Sequence, residues 1–415
     1  MRKILYPLIL TFFLCATAFG QTGEVRQEFL NSNDSRNTIE FYSEFYEASN
    51  ALTHQLATDY YLRKFIDKST KDNVSTQLSA NNRFGVGFRG NLNYIYQPEK
   101  INTRFIFTVQ HHLFNECQFN KDIFELYFRG NKSFAGKTAN LDQSAFNSIL
   151  YYQFGFGIGQ GTSNDKTNWF AIGSLCIGNE FMDIESKKGS MYTAADGTYL
   201  DADLGINMHK SDSTQSGIFH PSGKGAAITA GISTLLGENS RLHIGIRNLG
   251  FIRFNNQSAH AGIDSSLRFE GINVNSLFSL TDSFTVVRND SNYVESFINH
   301  RRKESYNRAL PGLADLWIEK WLPGNMWNVA IGLRIPVLNL ALPLGWMDIS
   351  KRVKGSSTLR FHTQYGGYAG WNAGLGYQYE KKSWKACISS DFLSSWLNLR
   401  KGTSMGAFIS LSKSF

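Results

Sequence analysis

Hydrophobic and polar residues alternate along most of the chain from about residue 80 to the end. Between 83 and 96, Phe84, Val86 and Phe88 occupy even positions, while Arg, Gly and Asn occupy the odd ones. The same period of two recurs in 146–159, 240–254, 325–336 and 370–381. Successive side chains of a strand point to opposite faces, so this period predicts strands with one apolar and one polar face.

Long alternating segments separated by turns are typical of a transmembrane β-barrel, apolar outside and polar inside. About fourteen such strands are predicted, within a range of about 12–16. They lie near 83–96, 102–114, 121–130, 146–159, 167–178, 198–209, 225–235, 240–254, 313–322, 325–336, 356–366, 370–381, 383–393 and 403–415. Three further segments, 40–48, 267–275 and 337–348, are candidates for additional strands.

A large soluble β-sandwich also alternates, but the end of the chain argues against it. The last segment, FISLSKSF, is an amphipathic strand that finishes on the aromatic residue Phe415. Phe415 resembles the C-terminal aromatic signal of barrels that are delivered to the outer-membrane barrel-assembly machinery. The sequence therefore predicts a single antiparallel barrel whose closing strand ends at Phe415.

The first residues read as a secretory signal peptide, because a basic start is followed by an apolar run and then by small residues. We predict a signal peptide over 1–20, an N-terminal segment over 21–80 and the barrel over 81–415. The expected location after cleavage is the outer membrane of a Gram-negative cell.

Two stretches, 50–80 and 276–310, do not alternate and show helix-like spacing, which predicts loop or plug elements. Acidic residues outnumber basic ones between 21 and 50. We predict that this acidic segment occupies or lines a basic lumen as a plug. The alternative is a disordered periplasmic tail.

Composition and charge narrow the choice of partners. Aromatic residues make up 14% of the chain, charged residues 18%, and the net charge is +8. No basic run is long enough to argue for nucleic acid as a partner. Whether any of Cys117, Cys176 and Cys387 pair is left open.

The polar faces of the predicted strands supply the candidate functional residues. The basic candidates for lining the lumen are Arg83, Arg89, Arg104, Arg241, Arg247, Arg334, Arg360 and Lys385. The acidic candidates are Asp201, Asp203 and Asp391. Two interpretations stay open: ion pairs that hold the wall together, or a basic pathway that favours anions.

Motifs of enzyme and metal chemistry are present only in part. Residues 402–406 match the G-x-S-x-G spacing, but they enter a strand rather than a strand-to-helix turn. His111 and His112 are neighbours on a strand and face opposite sides. We therefore predict no catalytic residue, no cofactor and no metal site.

Several short motifs resemble an uncharacterised outer-membrane barrel family of the Bacteroidota, a domain of unknown function. They are RNLGFI at 247–252 after the strand RLHIGI, Leu310-Pro311 before a strand, and Asn81-Asn82. More distantly, the strand count and helical N-terminal segment resemble barrels of the fatty-acid-transporter type. The resemblance implies an outer-membrane location and supplies no substrate.

The predicted function is an outer-membrane barrel, not an enzyme, that passes or binds small solutes through a polar, basic-biased lumen. The alternative is a structural or assembly barrel that anchors a protein complex. Expected partners are outer-membrane lipid, the assembly machinery, and an unknown solute or protein. If the basic run 300–308 lies outside the cell, it would also contact anionic glycolipid.

Overall fold

The sheet of this protein closes on itself. The structure, a computed structural model, describes residues 37–161, 165–212, 217–270, 300–324 and 326–415. Among these residues, fourteen antiparallel strands form the wall of a barrel, and the last strand pairs with the first. The predicted fold class is confirmed.

The strands and helices are as follows. The wall consists of β1 (Asn37–Ser49), β2 (Asn82–Tyr96), β3 (Thr103–Phe119), β5 (Ser144–Gln160), β6 (Thr167–Thr193), β8 (Gly223–Leu235), β9 (Ser240–Phe254), β13 (Gly312–Trp321), β14 (Trp327–Val337), β15 (Leu342–Lys354), β16 (Ser357–Gly367), β17 (Gly370–Lys381), β18 (Trp384–Ser390) and β19 (Ser404–Ser414). The other strands are β4 (Lys137–Asn140), β7 (Leu200–Lys210), β10 (Ala259–Phe269), β11 (His300–Lys303) and β12 (Tyr306–Ala309). The helices are α1 (His54–Tyr61), α2 (Lys68–Ser75), α3 (Lys121–Arg129), the short α4 (Ser394–Leu397) and a 3-10 turn at Asn131–Phe134.

The two ends of the barrel differ in their connections. Short turns, such as 236–239, 355–356 and 382–383, join strands at the end where β1 begins and β19 finishes; we call this the turn side. Long connections, such as 50–81 and 120–143, lie at the opposite end, the loop side. Short turns on one side and longer loops on the other are the usual asymmetry of bacterial barrels.

The outer face of the wall is apolar and exposed, whereas the inner face is polar and buried. Leu175, Phe156 and Ile331 point outward and are 70%, 51% and 55% exposed. Inward neighbours such as Ser174 and Asn328 are buried. An exposed apolar belt of this extent is unlike the surface of a soluble monomer and suits contact with lipid.

A second sheet projects from the loop side of the barrel. β6 has 27 residues, far more than the roughly 9–11 residues that cross a bilayer. Its first half pairs with β8 in the wall, and its second half pairs with β7. β7 pairs with β10, which in turn pairs with β11, so these strands form what we call the loop-side sheet.

The helices are short and lie in the loop-side connections. Within the described ranges, none of the helices combines the length and apolarity needed to cross a membrane. Segment 121–130, which we predicted as a strand, is helix α3. The Asn120 side chain accepts a hydrogen bond from the Ile123 N–H, and Gly130 with φ 81° ends the helix. These local capping signals determine the structure here, despite the alternating apolar residues.

The predicted total of fourteen wall strands is correct, although two of the predicted strands are not in the wall. Segment 121–130 is a helix, and 198–209 corresponds to β7, in the loop-side sheet. The two places in the wall are taken by β1 and β15, which overlap the additional candidates 40–48 and 337–348.

The predicted start of the barrel at residue 81 is wrong, because β1 already belongs to the wall. β1 pairs with β2 on one side and with β19 on the other. Residues 37–49 of the acidic segment are therefore a wall strand and not a plug. The predicted signal peptide, residues 21–36 and most of 276–310 lie outside the described residues.

Phe415→Asp is expected to reduce the yield of folded barrel several-fold. The Phe415 N–H donates to the Asn37 carbonyl (2.9 Å) at the seam where the barrel closes, and its ring lies 4.8 Å from the Lys413 Nζ. A carboxylate there would disturb the edge strand that must be captured during closure. Yield in membranes and heat-modifiable electrophoretic mobility report the effect. Phe219→Asp, at a 91% exposed ring in a loop-side connection, is the control; equal yields for the two variants would contradict a special role of Phe415.

Candidate functional site: the barrel interior

One carboxylate inside the barrel lies between two guanidinium groups. Asp315 on β13 accepts hydrogen bonds from Arg247 Nη2 on β9 (2.9 Å) and from Arg334 Nε on β14 (2.7 Å). None of the three side chains is more than 6% exposed. Because β9, β13 and β14 are adjacent in the wall, strand pairing alone brings these residues together.

A second ion-pair cluster occupies the inner faces of β15 and β16. Arg360 Nε donates to Asp348 Oδ1 (3.0 Å), and Arg360 Nη1 lies 3.3 Å from Asp391 Oδ1. His362 Nδ1 is 2.6 Å from the same Asp348 oxygen. Two of the predicted lumen residues, Arg360 and Asp391, are thus in direct contact.

Two further predicted arginines lie on the inner face and bond to neighbouring elements. Arg89 Nη2 donates to Glu44 Oε2 on β1 at 2.7 Å. Arg241 Nη2 donates to the Asp165 carbonyl at 2.8 Å, at the turn side. The charge complementarity that we expected between the acidic segment and the lumen is therefore found at Glu44, but within the wall.

The remaining basic candidates lie at or near the two ends of the barrel. Arg104 donates to the Gly161 carbonyl at the turn side. Arg83 Nε donates to the Leu340 carbonyl at the loop side (3.0 Å). Lys385 on β18 is on the inner face and is 9% exposed.

Asp201 and Asp203 lie outside the lumen, which corrects the expectation that they line it. Both are on β7 in the loop-side sheet. Asp201 pairs with Arg268 (2.6 Å) and Asp203 lies 3.4 Å from Lys188, with more than a third of each carboxylate side chain exposed. β7 alternates in sequence like a wall strand, and its pairing partners cannot be read from the alternation.

Sequence reasoning missed most of the carboxylates of the inner face. These are Glu116, Asp315, Glu319 and Asp348, all 5% exposed or less. The signal was present for Asp315 and Glu319, which alternate with the outward residues of β13. With these carboxylates included, the interior agrees with the interpretation of a lumen laced with ion pairs, and the predicted basic bias is largely offset.

Two cavities lie one above the other inside the wall, beside β1, β2 and β3. The loop-side cavity has a volume of about 100 Å³, and its lining includes Glu44, Tyr46, Arg89, His112, Tyr151 and Arg334. The turn-side cavity has about 70 Å³, and its lining includes Glu40, Asn93, Arg104, Gln110, Asn168 and Phe170. Both combine charged groups with aromatic rings or apolar side chains.

A chain of hydrogen bonds runs along the inner faces of β2 and β3 between the cavities. His112 Nε2 is 2.9 Å from Gln110 Oε1, and the Gln110 amide donates to Thr108 Oγ1 (3.1 Å). Thr108 Oγ1 donates to Asn91 Oδ1 (2.8 Å), and Asn91 donates to Asn93 (2.9 Å). His112 lines one cavity and Gln110 the other, so their hydrogen bond lies on the wall between the two cavities.

Glu116 on β3 anchors two connections at the loop-side mouth of the barrel. Its Oε2 accepts from the Leu340 N–H and from the Tyr368 hydroxyl, each at 2.7 Å, and Oε1 accepts from Asn147 (2.9 Å). Leu340 and Tyr368 lie in the β14–β15 and β16–β17 connections. One buried carboxylate thus fixes two connections over the loop-side cavity.

Two other elements complete this cover, which we call the loop-side cap. The Phe392 ring belongs to a buried cluster that also contains Tyr46 and Ala48 of β1 and Tyr368. The His54 N–H at the start of α1 donates to the Gly402 carbonyl (2.8 Å). Burial lowers the pKa of His54, but the hydrogen bond and charge of Glu47 outweigh burial and raise it above its usual value. The cap therefore consists of α1, the connection 338–341, Tyr368 and residues 391–402.

A closed barrel with an apolar outer belt and a polar, ion-paired interior defines the class of membrane-spanning β-barrels. Residues 31–335 match DUF5723, a family of unknown function, and the chain belongs to that family. No curated protein matches the chain.

Several solved barrels are similar to the chain in overall structure. They include the TodX deltaS2S3 mutant monoaromatic hydrocarbon channel (10% identity, TM-score 0.48, 96% of each chain). The Ralstonia pickettii toluene transporter TbuX is 9% identical, with a TM-score of 0.47 over 96% of each chain. A Pseudomonas aeruginosa FadL homologue is 12% identical, with a TM-score of 0.41 over 92% of this chain and 90% of that one. At these low values no site residue is transferred from them.

Proposed function

We propose that this protein is an outer-membrane channel that binds and passes small solutes carrying both a ring or apolar group and a polar group. The observation that carries the proposal is the pair of cavities, stacked along the inside of the wall on either side of the Gln110–His112 hydrogen bond. Stacked cavities in a closed wall provide successive binding positions along one path.

The outer-membrane location is supported by the wall itself. Its exposed apolar belt requires lipid, and only helices and closed barrels satisfy every backbone group within a bilayer. Short turns on one side and long loops on the other suit a barrel whose loop side faces out of the cell. Delivery by the barrel-assembly machinery, through the closing strand and Phe415, belongs to the same proposal.

The lining of the loop-side cavity supports the choice of solute. The rings of Tyr46 and Tyr151 offer flat apolar surface, and Arg89 and Arg334 offer hydrogen-bond donors. Aromatic walls with a few fixed polar groups are the usual composition of a small-molecule site. The volume of about 100 Å³ is below the 150 Å³ or so of a cavity that holds benzene, so passage requires the site to widen.

Flux of small aromatic probes through proteoliposomes tests this function. We expect the purified barrel to pass phenol, benzoate and benzylamine faster than protein-free liposomes do. Ala341→Trp, which places an indole in the loop-side cavity, should lower the flux several-fold. Ala171→Trp makes the same change on the lipid-facing side of β6 and should leave the flux unchanged. Equal flux through protein-free, wild-type and variant liposomes would refute a channel.

The second candidate is a structural barrel that anchors a protein complex. It is supported by the loop-side sheet and by an exposed aromatic group on α1 and α3, where the Tyr60 and Tyr127 hydroxyls bond at 2.8 Å. Tyr127 is 64% exposed. A barrel that passes none of the probes and copurifies stoichiometrically with one protein would favour this candidate.

A further inference from the structure

The loop-side sheet brings together two histidines and a glutamate that are far apart in the sequence. His209 on β7 and His260 on β10 are direct partners in the strand register. Glu304 immediately follows β11, which pairs with β10. The separations along the chain show no metal-binding spacing, so sequence reasoning missed the group.

The geometry of these side chains suits a metal ion. One ligand atom of each residue lies within 4.8 Å of the others. The imidazoles of His209 and His260 stack with centroids 4.3 Å apart, and His260 Nδ1 is 3.4 Å from Glu304 Oε1. Ligands about 2.1 Å from a tetrahedral ion lie about 3.4 Å apart. The two imidazole planes, which are parallel within 4°, must tilt toward each other for both nitrogen lone pairs to converge on one ion.

We propose that His209, His260 and Glu304 bind a divalent transition-metal ion of the zinc type. Two imidazoles and one carboxylate are a donor set that such ions prefer, and three protein ligands leave a position for water. The bound ion would tie the segment after β11 to β7 and β10, and so act as a staple of the loop-side sheet.

Two neighbours define the surroundings of the site. The Tyr306 ring stacks on the His209 imidazole with the ring centroids 4.3 Å apart, which limits the orientations of that imidazole. Arg302 Nε lies 3.4 Å from His260 Nδ1 and competes with a cation for that atom. The Arg302 side chain is 60% exposed, so it can turn into solvent when an ion binds.

Metal titration of the full-length barrel tests the site. Chelator-treated protein without a polyhistidine tag is titrated with ZnCl₂, and with CoCl₂ while visible absorption is recorded. We expect one tight zinc per chain, cobalt bands typical of low coordination number, and a higher melting temperature with zinc. His209→Ala should weaken zinc binding at least about tenfold. His220→Ala, at an exposed histidine outside the cluster, should bind zinc like the wild type.

A second variant keeps the test decisive if His209→Ala fails to fold. Glu304→Gln preserves the shape of the side chain but removes its charge, and should also weaken zinc binding at least about tenfold. Heat-modifiable mobility verifies that each variant is folded. The proposal is overturned if the wild type binds no zinc or cobalt. It is equally overturned if folded Glu304→Gln or His209→Ala binds zinc as tightly as His220→Ala.

Discussion

Asp315→Asn is expected to lower the free energy of unfolding of the barrel by about 3–5 kcal/mol. Asp315, Arg247 and Arg334 form what we call the triad. The substitution removes its only negative charge and leaves Arg247 and Arg334 facing each other inside the wall. Both guanidiniums are at most 6% exposed, so bulk water has little access to the place of the lost carboxylate. Denaturant unfolding of the barrel in detergent, followed by the fluorescence of the adjacent Trp317, measures the change.

A matched exposed ion pair provides the control for this prediction. Asp201→Asn makes the same chemical change in the pair with Arg268, where 39% of the Asp201 side chain and 54% of the Arg268 side chain are exposed. Exposed pairs contribute about 0–1 kcal/mol, so the expected loss is small. Similar losses for the two variants would show that burial of the triad does not determine its contribution.

A variant that removes all three charges of the triad shows whether the loss of stability in Asp315→Asn comes from unpaired charge or from altered packing. Asp315→Leu combined with Arg247→Met and Arg334→Met leaves no unpaired charge among these three positions. Apolar groups of similar size often replace a buried ion cluster without loss of stability. We therefore expect the triple variant to be more stable than Asp315→Asn, and a less stable triple variant would contradict this explanation.

Glu116→Ala is expected to open the loop-side mouth and raise single-channel conductance several-fold. The change removes the acceptor shared by the Leu340 N–H, the Tyr368 hydroxyl and the Asn147 amide. Each buried donor left without an acceptor costs about 1–3 kcal/mol. The closed arrangement of the cap therefore becomes less stable relative to an open one. Conductance of the purified barrel in a planar bilayer measures the effect.

Two comparisons show whether the increase comes from the cap. Glu116→Gln retains one carbonyl acceptor and should give an intermediate conductance. Glu238→Ala removes an exposed carboxylate from the turn between β8 and β9 and should behave like the wild type. Wild-type conductance in folded Glu116→Ala would mean that the carboxylate does not hold the mouth closed.

Individual strands and helices show where the alternation of apolar and polar residues predicts the structure and where it fails. Alternation located most wall strands, including β2, β9 and β17, because each of them faces lipid on one side and polar groups on the other. It failed at α3, where the caps at Asn120 and Gly130 favour a helix. It also misplaced β7, because alternation does not show which strands pair with one another.

The sequence by itself determined the fold class and the face on which most inner arginines lie. These properties follow from a local period of two, which reports which side of a strand meets lipid. Only the tertiary structure decided which charges meet. Glu116 contacts residues that lie 224 and 252 positions away along the chain. Asp315 pairs with Arg247 because β9 and β13 are adjacent strands in the wall. Such contacts depend on how strands are ordered around the barrel and on how connections fold over its mouth. The local alternation of residues contains no information about either.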